Sequence, residues 1–144
     1  MSFSDFITDS GKRVRKDHFR HLVQIAEIDG KLTEVELEIL HKEGRKFGLT
    51  DPEIDQIIDK EKDFHYVPPY SLQDKFDELY NIALVILADN EVSERERLIL
   101  RRYAISAGFE DNIIDMLVKH VLEGVQNGAD EEELFNSFRK KVRG

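Results

Sequence analysis

Shifted by 60 residues and laid on itself without a gap, this 144-residue chain matches at a long run of positions. Asp29 falls on Asp89, Glu34 on Glu94, Glu36 on Glu96, Ile39 and Leu40 on Ile99 and Leu100, and Gly48 on Gly108. Asp51, Ile54 and Asp55 then meet Asp111, Ile114 and Asp115, with Thr33/Ser93 and Leu32/Val92 as similar pairs between. Helical composition alone seldom produces so long an ungapped match, so the chain reads as two copies of one unit.

Each copy predicts three helices. In the first, Leu22, Val23, Ile25 and Ala26 recur at helical spacing and stop at Asp29-Gly30, where glycine tolerates the backbone that ends a helix. Thr33-x-x-Glu36 is a capping box, and Leu37, Leu40, Gly44 and Phe47 form the inward stripe of the helix it opens. Gly48 stops that helix. Asp51-Pro52 reads as cap and first-turn proline of a third, with Ile54, Ile57 and Ile58 facing in.

The second copy repeats the pattern with Asn90, Ser93-x-x-Glu96, Gly108 and Asp111. Between the copies, Phe64-His-Tyr-Val-Pro-Pro-Tyr70 predicts an ordered crossover whose aromatics pack on the core. Asn127-Gly128 ends a further helix, and Asp130-x-x-Glu133 caps a last one that packs Leu134, Phe135 and Phe138 inward. No stretch alternates with period two, so no sheet is expected. The expected fold is all-α: a single compact domain over residues 1–144, with seven or eight helices built from two pseudo-symmetric three-helix repeats. The first repeat spans about 15–63, the crossover 64–70, the second about 71–127, and the C-terminal helix about 130–142.

Composition narrows the function. A chain of this length buries a substantial core unaided, and without cysteine it has no disulfide framework, thiolate nucleophile or Cys-ligated zinc. The net charge of −9 argues against nucleic acid as a partner. The basic runs Lys12–Lys16 and Arg139–Arg143 read as solvated faces, the second complementing a helix C-terminus. The longest strongly apolar run, Ile82–Ala88, is far short of a bilayer span, and the N-terminus shows no signal-peptide h-region. The expectation is a cytoplasmic protein without stable membrane insertion.

Two motifs bear on chemistry. Asp29-Gly30-x-Leu32-x-x-x-Glu36 matches the second half of an EF-hand loop, but its first half fails: positions 1 and 3 would be Ile25 and Glu27, or Val85 and Leu87 in the second copy. An EF-hand is excluded. What remains is an acidic joint, Asp29, Glu34 and Glu36, recurring as Asp89, Glu94 and Glu96; clustered oxygens suit hard cations, whereas helix stop, first-turn acid and capping box explain the same residues without a ligand. His18 and His21, at i, i+3, share a helix face, expected at the surface; zinc there needs further ligands. His41, His65 and His120 stand isolated. With no phosphate loop, nucleophile elbow or His-Glu-x-x-His, an enzyme is not expected, nor an organic cofactor.

The pattern of aliphatic helix, Asp-Gly-x-aliphatic-Thr/Ser-x-x-Glu, aliphatic helix and Phe/Gly-Leu, over roughly residues 15–125, resembles the tellurite-resistance TerB family. It also resembles the related cytoplasmic domain of a membrane-anchored DnaJ-type co-chaperone. The resemblance implies a bacterial, cytoplasmic, non-enzymatic helical domain linked to stress responses, whose motif acids bind divalent cations such as calcium, magnesium or manganese. By position those acids are Asp29 and Glu36, Asp89 and Glu96, with Glu34 and Glu94 as additions. Asn90 departs from the family's glycine, and Glu27-Ile28 from its alanine. Two expectations follow: a cation-binding regulatory module, or a metal-free domain that docks another protein and uses the same acids only as caps.

Overall fold

Local hydrogen-bond chemistry decides where the helices of this chain begin and end. The structure, a computed structural model, describes residues 16–27, 32–61, 64–89 and 91–143, with the side chains of residues 89 and 143 excepted. Every regular element among them is helical: α1 (residues 16–26), α2 (Glu34–Lys46), α3 (Asp51–Glu61), α4 (Leu72–Ile86), α5 (Glu94–Ser106), α6 (Ile114–Gln126) and α7 (Glu131–Arg143). Short 3-10 turns cover Leu87–Asp89 and Asp111–Ile113. Among the described residues no helix is long and apolar enough to cross a membrane.

The chain divides into two units, Met1–Tyr66 and Val67–Gly144, with the boundary inside the crossover. In the first unit Phe19, Leu22, Leu40, Phe47 and Ile54 are buried, with the Phe19 and Phe47 rings edge-on at 5.9 Å. Lys16 reaches Glu53 at 3.3 Å and Gln24 donates to Glu61 at 2.9 Å, tying α1 to α3. α2 and α3 approach closely at Gly44, where a methyl group would lie 2.6 Å from Ile54 Cδ1.

In the second unit α4 packs against α5, α6 and α7, and α6 against α5 and α7. Phe76, Ile82, Leu100, Tyr103, Leu117, Val121 and Phe138 are buried there. α6 and α7 meet at Gly124, where a Cβ would run into the Leu134 side chain.

The expected stops at Gly48, Gly108 and Gly128 are present, whereas Gly30 and Asn90 lie outside the described residues. Gly48 and Gly108 adopt φ of 86° and 92°, the left-handed region that glycine enters without a Cβ penalty. The following residue then reaches back five positions, Leu49 N–H to Gly44 O and Phe109 N–H to Ala104 O, satisfying carbonyls that the helix end leaves open.

Two expected helix starts are corrected. α3 is capped by Thr50, not Asp51: Glu53 N–H donates to Thr50 Oγ1 at 3.3 Å, and Thr50 N–H to Glu53 Oε1 at 3.1 Å. Asp51 is thereby the first helical residue, because a reciprocal box one residue earlier satisfies two helix N–H donors at once. In the second copy Glu110 makes no side-chain cap bond, and the chain passes through the Asp111–Ile113 3-10 turn before α6 begins.

The crossover aromatics also differ. Phe64 and Tyr70 are 58% and 102% exposed, and only Tyr66 is half-buried, edge-on to His21 at 5.4 Å. Pro68 and Pro69 have no N–H to donate and bias the residues before them away from the helical backbone, so no helix forms here to carry the aromatics on one face.

Candidate functional site

The two acidic joints come first because the sequence repeats them. At each, a hydroxyl ends the incoming chain and a glutamate opens a helix. Glu36 N–H donates to Thr33 Oγ1 at 3.1 Å, and Glu36 Oε1 accepts from Thr33 N–H at 3.2 Å. The second joint matches it: Glu96 N–H to Ser93 Oγ at 3.1 Å, and Ser93 N–H to Glu96 Oε1 at 3.0 Å. Both boxes anticipated from sequence are therefore formed. Glu36 is half-buried, whereas Glu96 is fully buried.

Glu34 and Glu94 are exposed first-turn acids, where the amino end of a helix favours negative charge. One residue separates each from its capping neighbour, and residues at i and i+2 point to different sides of a helix. Asp29 lies outside the described residues, and Asp89 closes the 3-10 turn with its side chain outside them. A calcium ion takes six to eight oxygens and magnesium wants a near-ideal octahedron. Of the four described motif acids, Glu36 and Glu96 are engaged in capping, while Glu34 and Glu94 point away from them.

Behind each joint lies an ion pair that sequence reasoning missed. His41 Nε2 stands 2.9 Å from Asp55 Oδ1, and sixty residues on, Arg101 Nε donates to Asp115 Oδ1 at 2.8 Å. His41 Nδ1 also meets Asp51 at 3.2 Å, and Arg45 Nε donates to the same oxygen at 3.0 Å. A neutral imidazole donates from one nitrogen only, so both His41 contacts are hydrogen bonds when the ring is protonated. The bond to His41 and then that to Arg45 hold the Asp51 carboxyl below its ordinary value. The bond to Asp115 raises Arg101 above its own. The alignment of Asp55 with Asp115 and of His41 with Arg101 was a readable signal, once a cation is sought fourteen residues before each acid.

The remaining histidines divide. His18 is buried rather than at the surface, because positions 18, 22 and 25 continue the inward stripe of α1. His120 is not isolated: its Nε2 lies 3.2 Å from the Leu134 carbonyl and its Nδ1 3.2 Å from Lys141 Nζ, which fixes Nε2 as the donor. His65 is exposed.

Two features of the second unit were not legible. Glu131, opening α7, hydrogen-bonds Asp77 of α4; burial, then that bond, pushes its carboxyl up to about 7. Asn81 Nδ2 steadies Asp77 from the other side, at 3.2 Å from Asp77 Oδ1. The second feature is a cleft of about 560 Å³ between the start of α4, the turn at Gly108–Ile113 and α7. Its floor is a phenylalanine cluster: Phe138 stacks on Phe76 at 5.6 Å and meets Phe109 edge-on at 6.1 Å, and Phe135 tilts on Phe76 at 5.2 Å. Leu72 and Val142 stand at its mouth, 46% and 48% exposed.

No protein-family model matches the chain, and neither a curated protein nor a solved structure matches it.

Proposed function

We propose that this chain is a non-enzymatic, TerB-like helical module, two copies of a three-helix unit, that acts in the cytoplasm by docking another protein. The observation that carries this reading is the open, Phe-floored cleft of the second unit, whose volume lies in the range of binding pockets and whose mouth leaves apolar side chains in water. The repeated acids support it from the other side, since Glu36 and Glu96 already serve as reciprocal helix caps.

A second reading is favoured by the recurrence of Glu34 and Glu94 as exposed acids at both joints. There, calcium, magnesium or manganese would be held by those residues together with Asp29, Glu36, Asp89 and Glu96, in a stress-linked regulatory role. Thermal unfolding of EDTA-stripped protein, titrated with each ion in turn, separates the two. A ligand that binds only the folded state at a hundred times its Kd adds about 2.7 kcal/mol. The docking reading expects no saturable rise up to millimolar ion. A saturable rise that disappears in Asp29→Asn/Asp89→Asn overturns it in favour of cation binding.

A further inference from the structure

We propose that the cleft between α4, the Gly108–Ile113 turn and α7 docks an acidic amphipathic helix of a partner protein. The proposal rests on the docking reading above and names its partner class and its residues.

The charge of the rim points to an acid. Lys75 and Arg139 border the cleft, and among the described residues neither makes an ion pair, although the chain as a whole carries −9. Arg139 lies over the Phe135 ring at 5.6 Å from its centroid, which places its guanidinium against the apolar floor. Lys75 Nζ lies 3.4 Å from where a side chain at position 108 would begin, a space that glycine leaves open. Two such cations at an apolar trough are complementary to carboxylates flanking an apolar anchor, and Glu110 is the lone acid along the lining.

The architecture points to a helix. Among the described residues there is no sheet edge that a peptide could join by strand addition. A trough with apolar groups at both its floor and its half-exposed mouth instead fits the helix-in-groove mode, in which anchors at i, i+4 and i+7 lie along one face. An enclosed small-molecule site would bury most of its ligand, whereas Leu72 and Val142 leave this mouth open to water.

The test uses the full chain, labelled with ¹⁵N, and two synthetic 14-residue helical peptides. Both carry Phe, Leu and Leu at i, i+4 and i+7; one has Glu at the flanking positions and the other Lys. The expected result is that the Glu peptide shifts the amides of Gly108, Phe109, Ile113 and Phe138, more strongly at low salt. In Lys75→Glu/Arg139→Glu its affinity falls by about tenfold or more, while the Lys peptide gains. Leu72→Asp/Val142→Asp, at positions about half exposed and so tolerant of change, should abolish binding with the fold's spectrum retained.

Equal binding of the two peptides overturns the acidic assignment. Shifts that map to another face overturn the cleft and leave the docking reading standing. No shifts from either peptide at millimolar concentration overturn the cleft as a helix site. The cation titration remains the separate test of the docking reading itself.

Discussion

The joint between α2 and α3 and the joint between α5 and α6 share a local plan and differ at many positions, three of which bear directly on how the helices meet. Position 44 is glycine and its counterpart 104 is alanine; position 41 is histidine and its counterpart 101 arginine; position 50 is threonine and its counterpart 110 glutamate. Each difference has a structural counterpart. Gly44 lets α3 come close enough that Ile54 would collide with a methyl, Arg101 gives α5 a charge independent of pH where His41 depends on a proton, and Thr50 starts α3 at once where Glu110 leaves a 3-10 turn. Caps and stops are the tolerant framework, while one side chain adjusts helix spacing, charge or entry.

The largest expected break in the parallel is Gly44→Ala. A better helix former gains about 1 kcal/mol, but a methyl 2.6 Å from the fully buried Ile54 overpacks the contact by about 1–3 kcal/mol. A net loss is expected in urea unfolding; equal stability would mean that α3 shifts to resemble the second joint. Next come the caps. Ser93→Ala and Thr33→Ala should each cost about 1 kcal/mol, because each removes the hydroxyl that accepts from the Glu96 or Glu36 N–H. Glu96→Gln keeps a carbonyl oxygen for the Ser93 N–H and should retain most of that stability.

Smaller still is Glu110→Thr, which supplies the missing cap and should add a few tenths of a kcal/mol within the usual range for surface substitutions. Amide hydrogen exchange at residues 111–114 reads it out, and slower exchange is expected. The smallest effect is His41→Ala. Asp51 has a depressed folded-state pKa, so its contribution is present above the ordinary carboxylate value and lost as pH falls through the folded one. Without His41, the Asp51 carboxyl resonance should titrate at higher pH, while Arg45 keeps part of the depression. No change would mean that Arg45 alone holds the carboxylate.

What sequence made legible was short in range. Thr33 and Glu36, or Ser93 and Glu96, meet three residues apart, and Gly48 and Gly108 act on their own turn, so pattern is enough to find them. Asp51-Pro52 misled by one residue because two caps competed, and only the hydrogen bonds to Glu53 show that Thr50 prevailed. The cleft was beyond reach: Leu72, Phe109 and Phe138 lie on separate elements, and no spacing rule brings them to one trough. For the same reason Asp77 and Glu131, fifty-four residues apart, gave no sign of their hydrogen bond. The exposure of Tyr70 was hidden differently, since neither the ring nor its two neighbouring prolines carries a spacing that assigns it to core or solvent.

The Glu131 carboxyl carries a consequence for calorimetry. Its ordinary value is 4.5 and its folded value about 7, so at pH 6 the folded chain holds a proton that the unfolded chain has surrendered. Stability from this group is greatest below 4.5 and declines as pH rises through 7. Unfolding at pH 6 therefore releases a proton to the buffer, and the measured heat includes that of its capture. The apparent unfolding enthalpy should differ between phosphate and imidazole buffers, and the difference should shrink in Glu131→Gln. One half-buried acid at the foot of α7 thus makes the heat of melting this chain depend on the solution around it.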